Sequence, residues 1–243
     1  MANSKLRLDQ ALVAKGLVTT RSQAESYIKL GQVKVAGRVV AKPGFFVDEK
    51  ASLELVASEQ YVSRAALKLA SVATALDLDF SGKVVLDVGS STGGFTDYAL
   101  RRAARKVIDI EVGTNQLASS LRGNPKIELY EQTDVRDVRE LSEVPDIVVI
   151  DVSFISLREI LPSIARLSCQ KTQIVAMVKP QFEAASSNFK HKGVIKNDHL
   201  RRDIFKDFES WAKQYFVTLA KADLRVLGAK GNQERFYKLV VGK

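Results

Sequence analysis

The sequence is poor in cysteine and proline, and it lacks a long apolar run. Of its 243 residues one is a cysteine, Cys169, and five are prolines. A single cysteine excludes an intramolecular disulfide and fits a reducing compartment. We expect Cys169 to be a small core residue of an apolar helix. Neither a run of about 18 apolar residues nor a basic-then-apolar leader occurs, so we expect a cytoplasmic protein without a membrane span.

Two common nucleotide-binding signatures are also absent from the glycine-rich segment at 87–97, D-V-G-S-S-T-G-G-F-T-D. The dinucleotide spacing G-x-G-x-x-G fails because Ser91 stands where the second glycine belongs, and no G-x-x-x-x-G-K-[ST] loop occurs. The order strand, small-residue turn and helix still lets a ligand approach the backbone. Asp87 at the strand end suits the ammonium and sulfonium groups of S-adenosylmethionine (SAM). A glycine-rich turn with no ligand is the alternative.

Positive charge is what the sequence has in excess. Its 37 Lys and Arg residues against 28 Asp and Glu residues give a net charge of +9. That balance argues for a polyanionic partner, nucleic acid before membrane. The apolar fraction of 46% is ordinary for a globular protein. The length leaves room for a full α/β domain and a smaller module.

Residues 1–57 have the pattern of a compact module. Apolar residues at 6, 8, 12 and 13 fall at helical spacing, and a second helix is expected from Thr20, with Gln23 completing a capping box, to Gly31. Valines alternating around a glycine turn predict a hairpin. The string L-x-R-L-D-Q-A-L-V…T-R-S-Q-A…I-x-x-G-x-V-x-V-x-G…K-P-G resembles the S4 RNA-binding domain over about residues 6–56.

The S4 resemblance implies that basic side chains of this module contact RNA phosphates, which gives affinity without reading sequence. The module holds nine Lys and Arg residues against five Asp and Glu residues. Any one of these cations alone is better explained as a solvated surface charge, whereas the set favours RNA. The candidates for phosphate contacts are Lys5, Arg7, Arg21, Lys29, Lys34 and Arg38.

Residues 58–243 alternate strand-like and helix-like segments after a leading helix that carries Lys68. Such alternation with continuous apolar strands predicts a doubly wound, mostly parallel sheet, an α/β Rossmann-like domain. The short connection at 227–232 makes the last two strands an antiparallel hairpin, as in the methyltransferase version of this fold. Strands are predicted at 84–88, 106–112, 127–130, 146–152, 172–179, 216–226 and 235–241, and helices at 95–104, 115–122, 157–168 and 199–215.

Ligands in such sheets bind beyond the carboxyl ends of the strands, so polar residues there are the candidates. Glu111 ends the second strand and can accept both hydroxyls of a ribose, while Asp109 competes but lies inside the strand. Asp134 follows the third strand and can accept an adenine amino group; ordinary loop acidity is the alternative for Glu111 and Asp134. Lys179 closes an apolar strand, where packing does not explain a charge, beside the strand that ends at Asp151.

Five segments carry a resemblance to a known family: 61–69, 87–97, 151–156, 179–183 and 192–198. They read Y-V-S-R-A-A-L-K-L, the glycine-rich motif above, D-V-S-F-I-S, K-P-Q-F-E and K-G-V-I-K-N-D, and they resemble the haemolysin A (TlyA) family over nearly the whole chain. That family joins an S4 domain to an FtsJ-like methyltransferase domain. The resemblance implies SAM as cofactor, a ribosomal subunit as partner, and methylation of ribosomal RNA at ribose 2′-hydroxyls.

The resemblance also implies the site residues. It assigns a Lys-Asp-Lys-Glu catalytic tetrad to Lys68, Asp151, Lys179 and Glu234. The implied cofactor-binding residues are Asp87, Gly89, Ser90, Thr92, Gly93, Gly94, Phe95, Glu111 and Asp134. Glu111 stands where the family usually has Asp, and 133–136 replaces a segment that often bears asparagine, which leaves the adenine contacts open. No metal is needed, and His191 and His199 are expected at the surface.

Methyl transfer to a hydroxyl requires oxygen, carbon and sulfur in line and one proton removed or shared. Lys179 is the expected base or the group that orients the hydroxyl, and the sequence leaves these two roles open. The alternatives to an active RNA methyltransferase are an RNA-binding protein with an inactive domain, a small-molecule or protein methyltransferase, and a pore former. The sequence specifies neither the modified nucleotide and subunit nor the oligomeric state.

Overall fold

The computed structural model describes residues 5–56, 61–185, 193–224 and 232–242. The chain forms two compact units, Met1–Leu67 and Lys68–Lys243. Their border falls inside one helix, Arg64–Ala73, shortly after the boundary at 57/58 that the sequence suggests. The division at 57/58 stays a prediction.

The first unit is a small α+β module with two short helices and two small sheets. Its helix α2 begins as predicted, because Thr20 Oγ1 accepts the Gln23 N–H at 3.2 Å, and Gly31 follows the helix end with φ +70°. Strand β1 pairs antiparallel with β4, and β2 lies between β3 and β5. The elements are β1 (Lys5–Arg7), α1 (Leu8–Ala14), α2 (Arg21–Lys29), β2 (Val33–Val35), β3 (Arg38–Val39), β4 (Phe46–Asp48) and β5 (Leu53–Leu55).

The second unit alternates strands and helices along the chain. After α3 (Arg64–Ala73) come β6 (Val84–Val88), α4 (Gly94–Arg101), β7 (Lys106–Ile110), β8 (Ile127–Tyr130), β9 (Ile147–Ile150), α5 (Leu157–Leu167), β10 (Gln173–Val178), α6 (Pro180–Ala185), α7 (Asp198–Ala212), β11 (Phe216–Asp223) and β12 (Arg235–Val241). The bounds of β6, β8 and β12 agree with the prediction, and the other strands agree to within a few residues.

Seven strands of the second unit form one sheet in the order β11-β12-β10-β9-β6-β7-β8. Strands β6 to β10 run parallel, whereas β12 is antiparallel to both β10 and β11. The predicted fold class and the antiparallel pairing of the last two strands are confirmed. Most of the connection at 227–232 lies outside the described residues. Because β6, β9 and β10 are parallel neighbours, their carboxyl ends meet at one edge of the sheet.

Helices cover both faces of this sheet. On one face, α5 and α7 pack on the strands through apolar residues such as Leu161, Ile164 and Phe208. On the other face, the Phe95 ring of α4 lies 6.0 Å from the Phe236 ring of β12. Both rings are buried. The parallel strands β6, β7, β9 and β10 are therefore buried on both sides, which explains their largely apolar sequences, whereas β8 at the sheet edge is partly exposed.

Two local expectations are wrong. No helix forms at 115–122, where Asn115 takes a φ of +59° and the N–H groups of Gln116 and Ala118 donate outside the segment, to Glu131 Oε1 and to the Thr92 carbonyl. Leu117 and Leu121, although spaced for a helix, are buried from an irregular segment. Cys169 is exposed beyond the end of α5 rather than in the core. Pro180 follows the end of β10 and begins a short helix, α6, as proline often does at a first helical position.

Candidate active site

A cavity of about 470 Å³ opens beyond the carboxyl ends of β6, β7 and β9. This volume falls within the usual range for small-molecule sites. Three of the residues predicted from the sequence to bind the cofactor line it, namely Gly89, Glu111 and Asp134, and so does the predicted catalytic Asp151. The cavity therefore brings together side chains that lie far apart in the sequence.

Gly89 begins the glycine-rich turn and allows two strand ends to approach closely. Its φ is +80°, and a Cβ built on it would lie 2.9 Å from the carbonyl oxygen of Asp151. The Gly89 N–H donates to the carbonyl of Ile110 at 2.9 Å. A side chain here would push the end of β9 away from β6, so the turn needs glycine both for its backbone conformation and for space.

Gly93 has a different reason to be glycine. Its φ is +83° and it caps α4, and a Cβ built on it would meet side-chain carbons of Leu121 and Leu117 at 2.5 and 2.6 Å. These two leucines come from the irregular segment after β7. Leucine side chains therefore occupy the space next to Gly93, which lies outside the lining of the cavity.

Asp87 is buried beneath the turn instead of lining the cavity. Its Oδ2 accepts the Thr96 N–H at 3.0 Å and lies 2.7 Å from Thr96 Oγ1, and that same hydroxyl lies 2.7 Å from Asp109 Oδ1. Burial, followed by the neighbouring Asp109 charge, raises the pKa of Asp87 well above its usual range. Burial also raises the pKa of Asp109 to about 7, against the opposing hydrogen bond from Thr96.

A shared proton follows from this geometry. The Thr96 hydroxyl carries one hydrogen and can donate it to only one carboxyl. The oxygen of the other carboxyl lies equally close to the Thr96 hydroxyl. That contact is favourable only if this carboxyl is protonated and donates its hydrogen to the Thr96 oxygen. Asp109, which competes with Glu111 in the sequence as a ribose ligand, thus faces Asp87 and Thr96 inside the sheet.

Glu111 presents its carboxylate at the wall of the cavity. Its Oε2 accepts the Ser91 N–H at 2.9 Å and its Oε1 accepts the Gly113 N–H at 2.7 Å. These backbone bonds fix the carboxylate and link the end of β7 to the glycine-rich turn. A carboxylate has about four acceptor positions, and Gln116 Nε2 takes a third at 3.5 Å, so two ligand hydroxyls would fit only if the Gln116 amide gives way. The Gln116 side chain, which accepts from Ser91 Oγ at 3.1 Å, covers the same corner.

Asp134 lines the cavity from the loop after β8, but Arg136 already binds its carboxylate. Asp134 Oδ1 accepts from the backbone N–H and the Nε of Arg136, and Oδ2 accepts from Arg136 Nη2 at 2.7 Å. This side-chain hydrogen bonding lowers the pKa of Asp134. Any contact of Asp134 with an amino group of a ligand would share the carboxylate with Arg136.

Asp151 and Lys179 form an ion pair at the ends of β9 and β10. Lys179 Nζ lies 2.5 Å from Asp151 Oδ1, and it donates to Ser153 Oγ at 2.8 Å. Lys179 is 8% exposed. A lysine this buried is stable only with a partner for its charge, and Asp151 provides it. The pair places an amine, a carboxylate and a hydroxyl at one edge of the cavity.

Lys68 and Glu234 form a second buried ion pair at 2.6 Å. Lys68 Nζ also lies 3.8 Å from the sulfur of Met177 on β10. Because Val178 pairs with Arg235, the residues that follow β10 and precede β12, Lys179 and Glu234, are neighbours at the same sheet edge. The structure thus brings all four predicted tetrad residues to that edge.

The loop between β9 and α5 holds site residues that the sequence analysis does not single out. Phe154 is 92% exposed with a φ of +68°, although a bulky side chain strongly disfavours this conformation. Its ring lies 5.4 Å from the Phe182 ring, and Phe154 and Ser153 both line the cavity. The sequence does contain an indication of their role, because both residues belong to the D-V-S-F-I-S motif.

The other predicted cofactor residues lie around the turn without lining the cavity. Ser90 is buried, and its hydroxyl has no hydrogen-bond partner within the described ranges. Thr92 is exposed, and its carbonyl accepts the Ala118 N–H at 3.2 Å. Gly94 begins α4, and Phe95 is in the core. Their direct contact with a ligand stays a prediction.

The first unit contains a built cluster among the predicted RNA-facing residues. Asp9 is fully buried, and its carboxylate accepts from Arg7 Nη2 at 2.8 Å and from Arg21 Nε at 2.9 Å. Burial opposes the charge of Asp9, but the arginine bonds outweigh burial and lower its pKa. Both guanidinium groups stay partly exposed. Lys5, Lys29 and Arg38 are exposed, whereas Lys34 lies 3.7 Å from Glu54.

The described ranges offer neither a metal-binding cluster nor a membrane-spanning helix. They contain no group of three or more His, Cys, Asp and Glu side chains that could hold a metal ion. His199 lies 2.8 Å from Asp203 on its own helix and is largely exposed, while His191 lies outside the described residues. No helix in those ranges has the length and apolar character to cross a bilayer.

Comparison with protein families gives two matches. Residues 61–239 match the FtsJ-like methyltransferase family, and residues 6–53 match the S4 domain. The chain is 37% identical over 201 residues to the 16S/23S rRNA (cytidine-2'-O)-methyltransferase TlyA of Mycobacterium tuberculosis, covering 81% of this chain and 75% of that protein. It is 33% identical over 240 residues to Hemolysin A of Brachyspira hyodysenteriae, covering 97% and 100%.

Solved structures agree with these relatives. A protein of Streptococcus thermophilus, provisionally described as a hemolysin, superimposes with a TM-score of 0.72 at 32% identity. The match covers 100% of this chain and 90% of that one. An N-methyltransferase, NodS of Bradyrhizobium japonicum, superimposes with a TM-score of 0.51 at 11% identity, over 71% of this chain and 94% of that chain, which is a likeness of fold alone.

Proposed function

This chain belongs to the FtsJ-like methyltransferase family and carries an S4 domain ahead of that part, and from this premise we propose that it methylates ribose 2′-hydroxyls of ribosomal RNA with SAM. Residues 1–57 bind RNA and residues 58–243 hold the cofactor and carry out the transfer. The single observation that carries the proposal is the buried ion pair of Lys179 with Asp151 at the cavity edge, joined there by Lys68 and Glu234.

The residues around the cavity suit SAM. SAM supplies a methyl group that its positively charged sulfur already activates. Glu111 would accept the ribose hydroxyls, and Gly89 keeps side-chain atoms out of the turn that faces the ligand. Asp134 would contact the adenine while keeping its bonds to Arg136. The buried pair Asp87 and Asp109 would support the turn from below through Thr96.

The protein's part in the transfer is alignment and the handling of one proton. Lys179 Nζ, held by Asp151 and Ser153, would orient the 2′-hydroxyl and take or share its proton as the oxygen attacks. Asp151 fixes the amine and balances its charge. Lys68 and Glu234 keep a second amine and a second carboxylate at the same edge, so that a positive charge on one lysine is always matched by a carboxylate.

The mouth of the cavity suits an RNA substrate. Phe154 offers an exposed aromatic face next to the Lys179 pair, and bases stack on such faces whatever their identity. The S4 domain contributes Arg7 and Arg21, which Asp9 holds in fixed positions at the surface. Guanidinium groups held in this way make strong contacts with phosphate oxygens. The net charge of +9 favours association with the whole polyanion.

Mapping of the product tests this function. Purified protein is incubated with isolated ribosomal subunits and SAM labelled in the methyl group, and the recovered RNA is mapped by primer extension at limiting nucleotide concentration. The expected result is label in RNA and a stop next to a defined nucleotide, which disappears when that ribose lacks its 2′-hydroxyl.

The other outcomes identify the alternatives. Label on a base would keep the RNA substrate and refute the ribose target. Label only in protein or in a small molecule would refute the RNA substrate. Binding of SAM with no label transferred to either subunit would indicate an RNA-binding protein whose methyltransferase domain is inactive.

A further inference from the structure

Glu183 is a buried carboxylate that the tetrad and the cofactor cavity leave unexplained. It lies four residues after Lys179, in α6, and is 1% exposed. It does not line the cavity. A carboxylate this buried is costly unless its oxygens are satisfied, so its contacts indicate what it does.

The contacts of Glu183 all lie at the start of α5. Its Oε1 accepts the Leu157 N–H at 2.8 Å, and its Oε2 accepts the Ser156 hydroxyl at 2.6 Å. Arg158 Nε approaches Oε2 at 3.5 Å. Helix starts expose unpaired N–H groups and favour negative charge. Glu183 therefore fastens α6 to the first turn of α5.

This contact closes a short loop that carries two site residues. The loop leaves β9 at Asp151, whose N–H donates to the carbonyl of Val88 at 3.1 Å, and it ends at Ser156. Only 152–155 lie between the fixed ends. Within them, Ser153 accepts from Lys179, and Phe154 keeps its left-handed conformation beside Phe182. Such a strained backbone persists only when its surroundings hold it.

The other side of the contact leads directly to Lys179. The N–H groups of Phe182 and Glu183 donate to the carbonyl of Lys179 at 3.0 and 3.3 Å, so one helical turn joins Glu183 to the lysine. Pro180 fixes the first position of that turn. A displacement of Glu183 would therefore move the backbone of Lys179 and the loop of Ser153 in relation to each other.

We propose that Glu183 is a positioning residue for methyl transfer, which fixes the Lys179 amine against Asp151 and Ser153 by fastening α6 to the loop before α5. The effect on transfer rests on the proposed function, whereas the placement of the amine does not. The K-P-Q-F-E and D-V-S-F-I-S motifs then form one unit, in which Lys179 and Asp151 meet and Glu183 and Ser156 hold them together.

Three variants test this role. Glu183→Ala removes the contact, and Glu159→Ala is the control. Glu183→Gln keeps an oxygen that can accept the Leu157 N–H, and its amide N–H can donate to the Ser156 hydroxyl. Glu159 lies in the first turn of α5, the helix that Glu183 contacts, and its side chain is 51% exposed. Each protein is measured for SAM affinity, for single-turnover methylation of ribosomal subunits, and for melting temperature.

We expect Glu183→Ala to lower the single-turnover rate about 10- to 100-fold, less than the factor of about 100 or more for losing the acid–base group itself. Its SAM affinity should stay within about twofold, because Glu111, which would hold the cofactor, is fixed by the N–H groups of Ser91 and Gly113 and not by the loop at 152–155. Glu183→Gln should recover the rate to within about threefold, and Glu159→Ala should match the wild type. A lower melting temperature with an unchanged rate for Glu183→Ala would make Glu183 a stabilising helix cap only and overturn the proposal.

A second readout separates this proposal from the function. Trinitrobenzenesulfonate, which reacts with accessible amines, is applied to each folded protein, and labelling of Lys179 is followed by peptide mass spectrometry. Glu183→Ala should label Lys179 at least about fivefold faster than Glu183→Gln, Glu159→Ala and the wild type. Equal labelling in all four would refute the positioning role even if the wild type methylates RNA. Absence of methylation by the wild type would refute the proposed function. The labelling of Lys179 would still decide whether Glu183 positions the amine.

Discussion

Two parts of the seven-stranded sheet hold buried carboxyl groups in different ways. Beneath the glycine-rich turn, Asp87 and Asp109 share the Thr96 hydroxyl, and no lysine or arginine of the described residues pairs with either carboxyl. At the ends of β9 and β12, Asp151 lies against Lys179, and Glu234 lies against Lys68. The first part joins its carboxyl groups through a hydroxyl, whereas the second places a lysine amine against each carboxylate.

The difference follows from what each part must do. A carboxyl group that only joins two strands to a helix is least costly to bury when it is neutral and hydrogen-bonded. A pair of buried ions loses more hydration, and replacing such a pair with apolar residues often does not lower stability. The second part therefore keeps its ions at the expense of stability. That pattern is typical of sites where charge is needed for chemistry.

The largest effect should come from breaking one of the ion pairs. Lys68→Met keeps the length of the side chain but leaves Glu234 buried without its cation, which should lower the free energy of unfolding by about 3–5 kcal/mol. Adding Glu234→Gln should recover part of that loss. Urea denaturation measures both. The control is Lys221→Met, which removes an exposed cation whose partner Glu209 keeps its contacts with Arg235 and Tyr237, and it should cost about 1 kcal/mol or less.

A loss below about 1 kcal/mol for Lys68→Met would mean that Glu234 does not depend on its lysine. The proposed difference between the two parts of the sheet would then be wrong, because the buried carboxylates of the second part would not need their lysines.

The shared proton should make stability depend on pH. The pKa of Asp109 is raised from 3.8 to about 7. Its neutral form therefore contributes stability fully below about pH 4, and this contribution is lost as the pH rises through about 7. Asp109→Asn keeps a donor for the Thr96 oxygen without titrating. Between pH 4 and 8 the wild type should lose on the order of 3 kcal/mol that the variant does not lose. Chemical denaturation at several pH values measures this difference, and parallel curves would contradict the shared proton.

Gly89 in the glycine-rich turn should not tolerate a side chain, whereas Gly82, which lies before β6, should tolerate one. Gly89→Ala and Gly82→Ala both place a side chain at a φ between +70° and +80°, but only at Gly89 would the new Cβ meet a backbone oxygen. Strain of about 1–2 kcal/mol is common to both. Calorimetry should show SAM affinity reduced about 100-fold for Gly89→Ala and nearly unchanged for Gly82→Ala. Equal losses would assign the effect to backbone strain alone.

The smallest effect should be spread over surface charges of the first unit. Lys29→Gln with Arg38→Gln removes two exposed cations without touching the Asp9 cluster. Affinity for ribosomal RNA should fall about tenfold, and the slope of log affinity against log salt should decrease by about 1.5. The control, Lys206→Gln with Lys213→Gln, removes the same charge from exposed positions around α7. Equal effects of the two pairs would leave net charge, not the S4 module, as the cause.

Much of the fold could be predicted because apolar strands and their end residues follow simple rules. The strand at 84–88 and the strand at 235–241 have the predicted bounds, since β-branched runs flanked by turns have few alternatives. Residues at parallel strand ends meet at one edge, which is why Glu111, Asp151 and Lys179 could be grouped from the sequence.

The rest depended on contacts between distant segments. The helix expected at 115–122 is absent, because Leu117 and Leu121 are buried against Gly93 without helical backbone bonds. Asp109 is close to Asp87 only because β6 and β7 pair in register. The contact of Glu183 in α6 with Ser156 at the start of α5 spans 27 positions, and no periodicity in the sequence indicates it.

A single-turnover assay of Lys179→Ala with ribosomal subunits and saturating SAM tests whether the amine of Lys179 takes part in the transfer. The rate should be lower by a factor of about 100 or more, with SAM affinity and folding retained, because the lost amine handles the proton and does not line the cavity. Lys179→Arg should not restore the rate, since a guanidinium stays protonated and its planar shape cannot replace the amine. Near-normal rates in either variant would reduce Lys179 to a structural partner of Asp151 and contradict the account.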